Sequence, residues 1–344
     1  MKWLFGVVCS FCMFLAFSAG ATEAPGYHVI KSLKLGGDGG WDYLTADSAA
    51  RRLYISRGSH VMVLDMDTDK LVFDLQDTPG VHGVALAPEL NRGFTSNGKA
   101  NTSTIFDLKD FKVLGQVKTG ENPDAILFDP ASKRVFTFNG RSNDVTAFDA
   151  ASGEVNGTIK VGGKPEFFAS NCKGMIYANI EDTNEVVEID SRKLEVTRRF
   201  PLKPGEEPTG MAIDLEHGRI FSVCHNKLMA VINPASGKVI ATVDIGAGVD
   251  GCGFDPATGL IFSSNGEGSV TVAKETSPGK FEVLETVPSK KGARTMAVDA
   301  RTHDIYLATA DFEPAPPAKE GQKPERPKPV RDSFTILVLG THGK

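Results

Sequence analysis

Tyr54-Ile-Ser-Arg57, Phe94-Thr-Ser-Asn97, Phe136-Thr-Phe-Asn139, Tyr177-Ala-Asn-Ile180, Phe221-Ser-Val-Cys224, Phe262-Ser-Ser-Asn265 and Tyr306-Leu-Ala-Thr309 recur along the chain at intervals of 40, 42, 41, 44, 41 and 44 residues. An aromatic-led tetrad returning seven times at near-constant spacing is the mark of a structural repeat. Around each tetrad the sequence reads as four short strands. An apolar run closing on Asp or Pro precedes it, as in Ala125-Ile-Leu-Phe-Asp-Pro130. A third strand follows a Gly or Asn turn, as in Asp144-Val-Thr-Ala-Phe-Asp149. A fourth follows a turn such as Ala151-Ser-Gly153. β-Branched and aromatic residues between Gly, Asn, Asp and Pro breakers are strand–turn–strand chemistry. Four strands in 40–45 residues is the arithmetic of a propeller blade.

The expected fold is therefore all-β, a seven-bladed propeller over residues 28–340 with four antiparallel strands per blade. The last blade lacks a fourth strand of its own. His28-Val-Ile-Lys-Ser-Leu-Lys-Leu35 precedes the first blade and resembles the fourth strand Val113-Leu-Gly-Gln-Val-Lys118. Using it to complete blade 7 would close the ring and remove two exposed edges.

The aromatic-x-Thr/Ser-Asn tetrads, the Asn or Gly turns after them and the Val-x-Val/Phe-Asp third strands resemble the YVTN β-propeller repeat family. Exported bacterial YncE-like proteins belong to that family. The resemblance implies the fold and leaves the function open, because propellers carry binding proteins, lactonases, lyases and cofactor enzymes alike.

Composition agrees with one repeat domain. The chain has 344 residues, 41% hydrophobic and 24% charged, with 36 Gly but an ordinary 19 Pro. The excess Gly falls largely in recurring turns, among them Gly98, Gly140, Gly153, Gly237 and Gly266. The net charge of −5 counts against a broad grip on nucleic acid. Residues 1–21 read as a secretory signal: Lys2, an apolar run from Leu4 to Phe17, and Ala19-Gly20-Ala21 as the site, with cleavage after Ala21. That run is too short for a membrane span. The protein is thus expected in the periplasm or secreted, as a monomer. Cys9 and Cys12 leave with the signal; Cys172, Cys224 and Cys252 remain and read as three small core residues, with Cys224–Cys252 the pair to inspect for a disulfide.

Candidate site residues come from aligning the seven first strands. The alignment brings Asp42, His82, Asp124, Glu166, Thr209, Asp250 and Arg294 to one rim of the central channel. The ends of the second strands add Arg57, Asn97, Asn139, Asn179, His225, Asn265 and Glu267, and Trp41 and Tyr43 offer a stacking surface. Channel mouths are concave and suit small ligands. Crowded carboxylates attract a cation, so Asp124, Glu166, Asp250, His82 and His225 are the metal candidates, with His82–Asp124 and His225–Asp250 as the pairs to inspect. Oxygen ligands suit Ca²⁺ or Mg²⁺ and imidazole suits Zn²⁺. A divalent metal is the one cofactor these residues suggest.

Two functions fit. The first is a non-catalytic binding or scaffold module for a small polar ligand, a peptide or a partner protein. The alternative is a metal-assisted lactone hydrolase or lyase, with an ion polarising a carbonyl and a rim carboxylate or His as base. No Gly-x-Ser-x-Gly, phosphate loop or Cys-x-x-Cys-His motif occurs. In the last blade, Glu313 to Val330 is rich in Pro and charge and replaces a short turn. It reads as a surface loop, or as a lid or docking arm in extended form.

Overall fold

The computed structural model describes residues 23–314 and 327–342. The expected signal segment and the middle of the Pro-rich insert lie outside these residues. The described residues form seven four-stranded antiparallel sheets. Blade 1 runs through Leu44–Asp47, Arg52–Ser56, Val61–Asp65 and Lys70–Leu75. Blades 2 to 6 repeat this order. Blade 7 takes Thr295–Val298, Ile305–Thr309 and Thr335–Gly340 from one end of the repeat region and His28–Lys34 from the other. His28 pairs with Gly340 and Lys34 with Thr335, so the N-terminal strand closes the ring as its sequence suggests.

The tetrads form the second strand of each blade. Their burial explains their composition. Each is covered on both faces by neighbouring blades, so Tyr54, Phe94, Phe136, Phe221 and Phe262 are almost wholly inaccessible. The core is divided into seven apolar clusters, one per blade–blade interface. Leu53, Ile55 and Leu64 of blade 1, for example, meet Tyr306, Ile336 and Val338 of blade 7. Burying one such side chain contributes roughly 1.5–3 kcal/mol, so each interface is a substantial seam.

Polar latches tie the blades on the face opposite the channel mouth. Asp129, Asp214, Asp255 and Asp299, at the ends of four first strands, are buried there. In blade 3, Asp129 accepts hydrogen bonds from Ser132 in its own turn and from Ser170 and Ser191 of blade 4 (2.7–3.0 Å). At the ring closure, Arg51 of blade 1 pairs with the fully buried Asp299 of blade 7 (2.5 Å). In blades 3 and 7 the Asp at the end of the first strand is thus a blade-to-blade fastener, whereas Asp47 and Asp214 bond within their own turns.

Cys224 and Cys252 are free thiols, and so is the exposed Cys172. The core position expected of all three thiols does not hold for Cys172, and the candidate Cys224–Cys252 disulfide is not formed. Burial raises both thiols well above their ordinary range, which keeps them protonated and unreactive.

Candidate functional site at the channel mouth

The innermost strands begin with an irregularity that decides where side chains point. In five blades the pairing between first and second strand skips one or two residues: between Val81 and Val84, Pro123 and Ala125, Pro165 and Phe168, Pro208 and Met211, and Val249 and Gly251. The skipped positions contain His82, Asp124, Glu166, Thr209 and Asp250. These five rim residues therefore sit in β-bulges, a device that re-aims a side chain out of the ladder, whereas Asp42 and Arg294 precede their strands.

Three of these bulges, and the start of the blade 7 first strand, are held from the preceding blade by the third residue of the tetrad. Ser56 Oγ donates to the His82 carbonyl (2.6 Å), and Ser96 Oγ donates to the Asp124 carbonyl (2.6 Å). Asn179 Nδ2 donates to the Thr209 and Gly210 carbonyls (2.6 and 3.2 Å), and Ser264 donates to the Arg294 carbonyl. Of these four residues, sequence reading placed only Asn179 among the rim candidates, where the structure instead buries it, and took Ser56, Ser96 and Ser264 as strand residues alone. Their signal was a Ser or Asn at a tetrad position where blades 3, 5 and 7 carry Phe138, Val223 and Ala308.

The aligned first-strand residues meet one another around the mouth. His82 Nδ1 donates to Asp42 Oδ2 (2.6 Å) and lies 3.4 Å from Asp124 Oδ1. One ligand atom from each of these three residues lies within 4.8 Å of the other two. On the other side, Thr209 Oγ1 donates to Asp250 Oδ1 (2.7 Å), and Arg294 Nε stands 3.2 Å from Asp250 Oδ2. Between the two groups, Lys164 bridges Glu166 and Glu181. Gly98 makes room for the imidazole: a Cβ there would fall 2.6 Å from His82 Nε2 and 2.8 Å from Asn122 Oδ1.

The electrostatics follow from crowding and burial. Burial alone would lower His82, but its hydrogen bond to Asp42 and the charges of Asp124, Asp42 and Glu166 lift it to about 9. Burial raises Asp124, opposed by His82 and reinforced by Asp42. Burial and then Asp124 raise Glu166, against the pull of Lys164. Asp250 is raised by burial despite Arg294. The Tyr43 phenol, buried beside this ring, is raised by burial and by Asp124, Glu166, Asp42 and Asp250 together, and stays neutral. Carboxylates reluctant to ionise beside one another form a site that a cation stabilises.

Other expected site residues lie elsewhere. Asn97, Asn139 and Asn265 end their strands but are fully buried inside the blades. Asn139 accepts from Thr137 Oγ1 (3.1 Å) and donates to Asp144 Oδ1 and Thr146 Oγ1 (2.9 and 3.0 Å). Asn97 and Asn265 make the same kind of bonds to Thr and Ser of their own blades. Such bonds satisfy backbone-adjacent polar groups and leave no free donor for a ligand. Arg57 is also buried, with its guanidinium carbon 3.7 Å from the Phe334 ring centre and Nη2 donating to the Gly36 and Asp38 carbonyls. Burial lowers it to about 10. His225 pairs with Glu207 (3.3 Å) rather than with Asp250. Glu267 accepts from Ser269 (3.1 Å). Trp41 packs on Phe334 and Phe312 (ring centres 5.3 and 6.1 Å). Phe312 belongs to the neck of the Pro-rich insert, where it bridges Pro329, while Glu313 N donates to the Lys328 carbonyl.

No family model and no curated protein sequence matches the chain. Among solved structures, a chain of Kuenenia stuttgartiensis hydrazine synthase superposes with a TM-score of 0.69, covering 86% of this chain and 96% of that one at 15% identity. At that identity the likeness is one of fold. Among the described residues no helix is long and apolar enough to cross a membrane.

Proposed function

We propose that the protein is an exported, YVTN-type (YncE-like) propeller that acts as a non-catalytic binding module and seats a cationic ligand at its channel mouth. The carrying observation is the Asp42–His82–Asp124 cluster, with Glu166 and Asp250 on the same mouth. Two carboxylates and an imidazole suit a divalent ion, and Zn²⁺ fits the mixed set better than Ca²⁺. Protonated His82 must lose its proton to coordinate through Nδ1, so metal uptake releases protons and tightens as pH rises. A small organic cation would instead keep the proton and use the carboxylates alone.

Titration calorimetry with Zn²⁺ and Ca²⁺ on chelator-stripped protein tests the site. Asp42→Asn with Asp124→Asn should weaken binding by about tenfold or more while leaving the fold intact. Unchanged affinity in the double variant removes the ligand from this mouth. Chelator-sensitive lactone hydrolysis by the unaltered protein would overturn the non-catalytic reading. Export is tested by the N-terminal sequence of the protein recovered outside the cytoplasm, which should begin at Thr22.

A further inference from the structure

A second concavity opens beside the mouth, with a different chemistry. It has a volume of about 550 Å³, within the range of small-molecule sites. Its wall is aromatic, from Trp41 and Phe312, whose ring centres are 6.1 Å apart at a 50° tilt. Its charged lining residues are Lys291 and Arg294, and among the described residues no carboxylate lines it. Lys291 is exposed and has no ion-pair partner among the described residues. Arg294 turns Nε toward Asp250 and has no hydrogen-bonded partner for its terminal nitrogens among those residues.

Three glycines explain why the cleft exists. Gly248 and Gly266 line it with bare backbone, and a Cβ on Gly266 would lie 2.8 Å from the Gly248 carbonyl oxygen. A Cβ on Gly292 would fall 2.5 Å from the tip of the Phe312 ring, so only glycine leaves room for that ring beside Trp41. An aromatic wall, two cationic heads and an unfilled floor form a built receptor for a planar anion. Flat rings stack on aromatic faces, and guanidinium with ammonium groups grips an anionic oxygen pair by charge-assisted hydrogen bonds.

We propose that this cleft binds an aromatic carboxylate, its ring against Trp41 and Phe312 and its carboxylate between Lys291 and Arg294. The site is separate from the cation seat: it uses none of Asp42, His82 or Asp124.

The chain's two tryptophans make the test direct. With Trp3→Phe, Trp41 is the sole fluorophore of its kind and reports on the cleft wall. Titration of this full-length variant with benzoate should change its emission saturably. Benzamide, acetate and inorganic phosphate should each bind about tenfold or more weakly, since each lacks the charge or the ring. Lys291→Gln, at an exposed position, should weaken benzoate alone by about threefold or more, and adding Arg294→Gln should abolish the preference for benzoate over benzamide. Zn²⁺ affinity should survive Lys291→Gln. The proposal is overturned by the absence of a saturable benzoate response, by equal affinity for benzoate and benzamide, by phosphate binding as tightly as benzoate, or by full benzoate affinity in Lys291→Gln.

Discussion

Replacing Asn139 by Ala separates a structural role for the tetrad asparagine from a ligand-binding one. Asn139 has no accessible surface and makes three side-chain hydrogen bonds, to Thr137, Asp144 and Thr146. Alanine removes all three. Thr146 still receives a hydrogen bond from Gly120 N, and Asp144 keeps Lys160 and Ser142. The Thr137 hydroxyl loses its acceptor and is fully buried. Two bonds at about 1 kcal/mol each, plus the one to the Asp144 carboxylate at about 1.5–3, give a loss of roughly 3–5 kcal/mol. Denaturant unfolding followed by circular dichroism measures it as a lower midpoint at unchanged slope. Cation affinity at the mouth should not change. A loss below about 1 kcal/mol, or a loss of ligand affinity without a loss of stability, would refute the assignment of Asn139 to the blade interior.

Three further outcomes are expected. In chelator, stability should fall as pH rises: His82, lifted from 6.5 to about 9, contributes stability that is complete below 6.5 and lost through 9, and the raised Asp124 and Glu166 act in the same direction. Melting temperatures between pH 6 and 9.5 should show this slope, and His82→Asn should flatten it; a stability that climbs over the same range contradicts the sign. Arg51→Ala strands the buried Asp299 at the ring closure and should cost roughly 3 kcal/mol, with amide exchange rising first in blades 1 and 7; equal exchange in all blades would dissociate the pair from closure. Gly98→Ala should displace the His82 imidazole and weaken Zn²⁺ binding by about tenfold, detectable by the same calorimetry, whereas Gly140→Ala, whose Cβ would find nothing nearer than 3.5 Å, should not.

The blade count was legible because the tetrads are buried on both faces, and double burial imposes an aromatic and β-branched run that recurs wherever a blade does. The closing strand was legible from its likeness to a fourth strand. Aligning first strands on their terminal Asp also found the residues that meet at the mouth. The sites of Asn97, Asn139 and Arg57 were not legible. A polar residue ending a strand looks wet in a linear sequence, while its burial depends on side chains of the same blade reaching back across the turn, as Thr146 does to Asn139. The bulges were equally hidden. One extra residue shifts the alternation only locally, and the Ser that holds it comes from the blade before. His225 escaped Asp250 for a similar reason: its nearest acid, Glu207, lies in the inter-blade turn, whose course no periodicity describes.

The joint between His28–Lys34 and Thr335–Gly340 has a consequence for assembly. Its two halves lie at opposite ends of the repeat region, so this pairing has the largest sequence separation of any in the ring and is expected to form last. Until then the molecule is an open arc with a bare strand at one end and an unattached ribbon at the other. Closing so long a loop carries an entropic cost that is met only when the final contacts form. A ribbon from a second molecule fits the same edge as well as its own does. Refolding at high concentration should therefore yield exchanged pairs, two rings each sealed by the other's first strand, which disappear on dilution before folding begins.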